Sequence, residues 1–459
     1  MKRKELIAFI VLLAVALAPN IAIVCVATDV STAGQKMLYL LASLVLYSIG
    51  LCFLHKRAYF YTISLGFLLS AFELMHLLAR HSTMTMLYLY TWFKTPPAVR
   101  WAPLLDYWWV CIVVVVLWVL YYVTAHYCIE RRFIASWRWR IPALAVLLSV
   151  YILLPVRVCP TNTLYQLGRL ASFALRVERN LPEQREGSFG ITPNASKAQE
   201  TVILVLGETT YEQWKELGYT DSLAIDFDSA YAECPVSGVS VPLSLSRATP
   251  TNRQPFFVEK FIIKAFDEAG FYSAWLSNYG YHDHFLMRIA DDCRYMAYMP
   301  GQPDTALLTP FRETMRFPAQ RHLVVMATQG GKDSVGFAAT PYLLRQLTDS
   351  LRHTHQPAML IYAGATNIHL TDDYSNLHVP LMIWTNPNYR YRHRPAIRCL
   401  QRQRNERVSM DALFHTMLYM NDIYCKVLDE SQALGCASYM PAETIYFLDE
   451  NLHTQSLTP

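Results

Sequence analysis

Two kinds of hydrophobic pattern divide the 459-residue chain. The first third consists of long apolar runs, at about residues 6–27, 37–54, 59–79, 105–127 and 141–158. Each is long enough for a membrane-spanning helix, which needs about 17–25 residues to cross a hydrocarbon core of roughly 30 Å. Beyond them the apolar runs shorten and alternate in type. Runs at 202–206, 272–277, 322–327, 358–362 and 380–384 are rich in β-branched and aromatic residues and predict strands. Helical periodicity predicts helices over 255–268, 339–351 and 409–428. Strands alternating with helices imply βαβ units, a parallel sheet and helices on both faces. The pattern therefore predicts a five-helix transmembrane domain over 1–158 and a linker or interfacial segment over 159–198, with a short helix at about 164–179. An exported α/β domain over 199–459 follows.

Basic residues orient this arrangement. Lys2, Arg3, Lys4, Lys56, Arg57, Arg131, Arg132, Arg138 and Arg140 fall on one side, while Lys36, Arg80, Lys94 and Arg100 fall on the other. The positive-inside rule places the N-terminus in the cytoplasm and everything after Val158 outside it. A signal peptide is the alternative for the first run, because Lys2–Lys4 precede it. The run is long for that role, Pro19 stands just past the cleavage-like Ala-Leu-Ala, and further spans follow. Glu73 and His76 lie inside the third span; intramembrane ionisable groups are functional candidates, and a solvated pair near a helix end is the bland alternative.

Composition narrows the chemistry. A net charge of +4 argues against a dedicated nucleic-acid binder. Cys159, Cys234, Cys293, Cys399, Cys425 and Cys436 fall in the exported part, where six cysteines permit three disulfides. Cys25, Cys52, Cys111 and Cys128 lie in or beside the spans. The run from Gly330 to Ser334 lacks the spacing of a P-loop. Arg392, His393, Arg394, Arg398, Arg402, Arg404 and Arg407 form a basic stretch, readable as a solvated face or as attraction to anionic lipid.

The organising stretch is Thr201–Thr209, TVILVLGET, a buried-strand pattern ending on the carboxylate of Glu208. Open α/β sheets bind ligands at the carboxyl ends of their strands. Some 29 residues on, SGVSVPLSLS supplies hydroxyls around a proline, beginning at Ser237. These features resemble the phosphoethanolamine transferases, membrane-anchored relatives of the alkaline phosphatases and sulfatases. Gly218-Tyr219, the Trp275–Asn278 segment WLSN, the Val379–Trp384 segment VPLMIW and the Asp411–Thr416 segment DALFHT add to the resemblance, which covers nearly the whole chain.

The resemblance implies a multi-pass protein of the bacterial inner membrane with a periplasmic sulfatase-like domain. It implies zinc as cofactor, phosphatidylethanolamine as donor and a lipid A-like acceptor. Glu208 matches the family's glutamate metal ligand, and Ser237 takes the place of its threonine nucleophile and ligand. The family's remaining ligand positions carry Gln329, Ala365 and Thr366 here, so its histidines and aspartate are missing. Alanine binds no metal, and threonine and glutamine are poor zinc donors. Candidate substitute ligands are His282, His284, His369 and Asp372. Two expectations follow: a phosphoethanolamine transferase with a rebuilt site, or a catalytically silent relative that binds or regulates envelope partners.

Overall fold

The computed structural model describes residues 3–53 apart from 29 and 31, then 56–94, 104–127, 158–191, 199–252, 260–278, 289–319, 321–330, 334–365 and 374–457, with a few isolated positions between. The chain forms two compact units, Met1–Phe173 and Ala174–Pro459.

The first unit is helical. α1 (Arg3–Val26), α2 (Ala33–Phe53), α3 (Lys56–Arg80) and α5 (Trp109–Tyr127) follow four of the expected spans, with the short α4 (Met86–Lys94) between the last two. Two helices among the described residues, Leu6–Val26 and Trp109–His126, are long and apolar enough to cross a membrane by length and composition. The expected count of five goes beyond them, and the run at 141–158 lies almost wholly outside the described residues. Leu12, Phe67, Met75, Val114 and Tyr121 pack into one core, whereas Leu68, Val115 and Val116 stay exposed on the outside.

Glu73 and His76 are both fully buried, so the solvated alternative for this pair is wrong. Glu73 accepts from Asn162 Nδ2 at 2.9 Å and from Thr163 Oγ1 at 2.8 Å, two residues in the first turn of α6 (Thr161–Glu186). A carboxylate there complements the positive end of the helix dipole. Asn20 adds a two-way clamp on the backbone of Cys159, at 3.0 and 2.9 Å.

The second unit is built on an eight-stranded sheet of order β4-β3-β5-β1-β6-β7-β2-β8. The strands are β1 (Glu200–Glu208), β2 (Ala224–Tyr231), β3 (Tyr272–Ser277), β4 (Tyr295–Tyr298), β5 (Arg321–Thr328), β6 (Ala358–Ala365), β7 (His378–Thr385) and β8 (Val408–Ser409). All five expected strands are present. The sheet is mixed rather than parallel, because β7 runs antiparallel to both β6 and β2. Tyr374 (φ 56°) and a short 3₁₀ segment, Ser375–Leu377, lead the chain into β7. A separate hairpin joins β9 (Ile445–Leu448) to β10 (Thr454–Leu457).

Strand β1 shows why the sheet is buried on both faces. Val202, Leu204 and Leu206 enter one core, and Ile203 and Val205 enter the other, as the two-residue period of a strand requires. The first core is closed by α9 (Ile262–Glu268), α13 (Arg394–Gln403) and α14 (Ala412–Met420). The second is closed by α7 (Tyr211–Leu217), α10 (Leu308–Met315) and α11 (Ser334–Arg352). The unit also contains α8 (Ser237–Ser244) and α12 (Pro387–Arg392). The helix expected over 409–428 is shorter, because Asp422 adopts a left-handed conformation (φ 54°) that ends α14. No disulfide forms among the described residues: Cys159, Cys234, Cys293, Cys399, Cys425 and Cys436 are all free thiols, contrary to the three bridges their number permitted.

Candidate active site

The carboxyl edges of β5, β1 and β6, three adjacent strands, carry Gln329, Glu208 and Ala365. Glu208 closes β1 and is 7% exposed. Ser237 opens α8, six residues beyond β2, and its Oγ donates to Glu208 Oε1 at 2.8 Å. The two predicted residues thus meet across 29 positions of sequence.

What holds the serine there is the rest of α8. All eight of its residues are buried. Ser240 and Ser244, one turn apart on one face, donate to the carboxyl of buried Glu233 at 3.0 and 3.1 Å. Glu233 thereby fixes the rotation of the helix about its axis. Burial pushes the Glu233 carboxyl well above the ordinary carboxylate range, and the nearby charge of Asp411 adds to the shift.

Thr209, just past Glu208, shares a hydrogen bond with Tyr362 Oη at 2.8 Å, and its amide donates to Ala365 O at 3.0 Å. Gly330 covers this strand end at φ 52°; a Cβ there would stand 2.9 Å from both the Glu208 nitrogen and Thr209 Oγ1. Only glycine meets both the left-handed backbone and the close approach.

The other half of the site has changed its chemistry. Ala365 is the register partner of Glu208 on β6, so a methyl group stands beside the carboxylate. Gln329 is committed to a structural network. Its backbone N–H donates to Asn278 Oδ1 and Asp304 Oδ1, both at 3.1 Å, and its side-chain amide donates to Asn278 O at 3.3 Å. Buried Asp304 also accepts from Asn278 Nδ2 at 2.6 Å and Thr340 Oγ1 at 3.1 Å. Burial raises its carboxyl above the usual range. Sequence reasoning gave no role to Thr209, Tyr362 or Asp304. Asn278 was visible within the WLSN segment, but nothing in the sequence connects Asp304 to it.

Thr366, His369 and Asp372 lie outside the described residues, as do His282 and His284. The strands that precede them in sequence, β6 and β3, end on the same edge as Glu208. Among the described residues no group of three or more His, Cys, Asp or Glu side chains is placed to hold a metal. A zinc site wants four donors, mostly nitrogen or sulfur. One carboxylate, one hydroxyl and a methyl group do not fit that ion.

The fold matches solved structures. The integral membrane protein lipooligosaccharide phosphoethanolamine transferase A from Neisseria meningitidis aligns over 94% of this chain and 97% of its own, at a TM-score of 0.67 and 15% identity. The C-terminal periplasmic domain of EcEptC from Escherichia coli, also solved in complex with Zn, aligns over 57% of this chain and 92% of its own, at a TM-score of 0.49 and 14% identity. The corresponding domain of phosphoethanolamine transferase EptC from Campylobacter jejuni covers 55% of this chain and 99% of its own, with a TM-score of 0.45 and 17% identity. No family model matches the chain, and no curated protein matches it in sequence. The resemblance drawn from the residues is thus shown in the fold, over both the helical unit and the α/β unit.

Proposed function

We propose that this protein is a membrane-anchored phosphotransferase of the envelope, with Ser237 as nucleophile and Glu208 as its proton acceptor. The observation that carries the reading is the 2.8 Å hydrogen bond from Ser237 Oγ to Glu208 Oε1 at the carboxyl edge of the sheet. Nucleophile and base within hydrogen-bond reach, on rigid elements, is the arrangement that hydroxyl nucleophiles require. The donor is phosphatidylethanolamine and the acceptor a lipid A-type glycolipid, the anchor has five spans, and the α/β unit faces the periplasm.

In the first step Ser237 Oγ bonds to the donor phosphorus while the bond to the diacylglycerol oxygen breaks. The serine proton passes to Glu208 and on to the departing oxygen. In the second step an acceptor hydroxyl attacks the phosphorus of the phosphoethanolaminated serine and gives its proton to Glu208, which passes it to the departing Ser237 Oγ and so regenerates both residues. The test is transfer of labelled head group in membranes, with mass analysis of the peptide carrying Ser237. A modified Ser237 that turns over, and loss of transfer in Ser237→Ala, are the expected results. Unchanged transfer in Ser237→Ala overturns the reading.

One observation favours a second reading. The methyl group of Ala365 beside Glu208 removes a donor that a metal-dependent transferase would use. On this reading the fold survives as a binding or regulatory partner of envelope machinery. Elemental analysis of full-length protein purified without chelator separates the two. About one zinc per chain, lost in Glu208→Ala, rejects the silent relative. Absence of zinc, with capture gained in the double variant Ala365→Asp, Thr366→His and no transfer in the parent, supports it.

A further inference from the structure

The carboxyl edge of the sheet carries a second polar site that the Glu208–Ser237 pair does not use. A cleft of about 250 Å³ opens where β8 runs into α14, lined by Asp411, Ser409, Thr249, Thr251, Tyr439 and Tyr446 among others. β2 and β8 run parallel to β1, because β7 reverses direction between them and β6. Asp411, two residues beyond β8, therefore opens on the same edge as Glu208. Four strand spacings separate β8 from β1, so the two sites stand roughly 20 Å apart at about 4.8 Å per strand.

The cleft's charge is one-sided. Burial raises the Asp411 carboxyl above the usual range, opposed by the hydrogen bonds it accepts from the Ser409 hydroxyl and from the Ala412 and Asp411 amides. Among the described residues no Lys, Arg or His forms an ion pair with it. The other polar groups in the lining are hydroxyls of Thr249, Thr251, Thr444 and the two tyrosines, with the amide of Gln432. Hydroxyl oxygens accept N–H bonds, and tyrosine faces attract cations. Burial and the Asp411 charge together push the Tyr439 hydroxyl upward, and the same charge adds to burial in raising Glu233. A bound cation offsets both effects.

We propose that this cleft binds a protonated primary amine, with Asp411 as its counter-ion and the hydroxyls as acceptors for its remaining N–H groups. A primary ammonium offers three donors and fits this lining. A quaternary ammonium offers none, and a neutral diol leaves the carboxylate unanswered. This inference stands apart from the chemistry of Ser237, because binding here requires no transfer.

The test titrates full-length protein in detergent with ethanolamine at neutral pH, with ethylene glycol and choline as comparisons, read by saturation-transfer NMR. Ethanolamine is expected to saturate a site, with ethylene glycol and choline weaker by at least about tenfold, the worth of one charge-assisted hydrogen bond. Asp411→Asn is expected to weaken ethanolamine by a similar factor. Asp411 also stands at the start of α14, so Tyr446→Ala, at an exposed position of the lining, supplies a second variant expected to weaken binding severalfold. Equal binding of ethanolamine and ethylene glycol overturns the proposal, and equal binding of choline overturns its restriction to primary amines. Unchanged binding in a folded Asp411→Asn, or in Tyr446→Ala where Asp411→Asn does not fold, overturns it as well.

Discussion

Strand β1 begins and ends on a buried glutamate, and the two ends do different work. At the start, Glu200 is 4% exposed and ion-paired with Arg321 at 2.7 Å, whose guanidinium also lies 3.9 Å over the ring of Phe271. At the far end, Glu208 is nearly as buried but accepts its bond from the hydroxyl of Ser237. A buried carboxylate is costly unless its charge is answered. Arg321 answers Glu200 with a fixed charge that never leaves, and so closes a clamp between β1 and β5. Ser237 answers Glu208 with a proton that it can give up. Residue type, strand and burial are alike; the partner decides which glutamate is structural and which is chemical.

The largest effect should come from neutralising the chemical end. Glu208→Gln keeps an acceptor for the serine hydroxyl but removes the base. Transfer is expected to fall by about 10²–10⁴, the usual worth of positioned acid–base catalysis, with the melting temperature of full-length protein in detergent little changed. A large loss of stability with normal transfer would mean that Glu208 is a second clamp and the comparison collapses.

The structural end should behave in the opposite way. Arg321→Met leaves Glu200 buried without its counter-charge and is expected to cost about 3–5 kcal/mol in thermal or denaturant unfolding. Transfer per folded molecule should stay near the parent's. Pairing it with Glu200→Gln should recover much of the loss, because both halves of the buried pair then disappear together. Failure to recover would place the cost in the Arg321–Phe271 stacking rather than in the charge.

Much of this arrangement was legible in the sequence, for physical reasons. The TVILVL run announces a strand buried on both faces, and a glutamate at its carboxyl end is where an α/β sheet presents chemistry. The SGVSVPLSLS stretch was legible because hydroxyls flanking a proline stand out against an apolar background, and the resemblance singled out Ser237 within it. The reversal of β7 was not, since a central strand reads the same in either direction. The network of Asn278, Asp304 and Gln329 was equally hidden. It joins positions far apart in sequence whose polar atoms meet only once β3 and β5 are side by side. The disulfides failed because cysteine number says nothing about distance, and two Cα atoms more than about 7 Å apart cannot be bridged.

Glu233 extends the comparison to a third buried glutamate, one answered by two serine hydroxyls and set beside the charge of Asp411. Burial first, and Asp411 second, raise its native value above the ordinary carboxylate range of about 4.3. The protonated form is therefore the one the native state favours. Its contribution to stability is complete below that range and is lost as pH rises through the raised native value. Glu233→Gln retains an oxygen for the serines and has no proton to lose. Its melting temperature should match the parent's in acid and exceed it by a few degrees at higher pH, the gap opening across the parent's titration. Because Ser237 sits on the helix that Glu233 orients, transfer should persist in this variant. A parent and variant whose melting curves stay parallel at every pH would mean that a cation already answers Glu233, and the cleft around Asp411 is where to look for it.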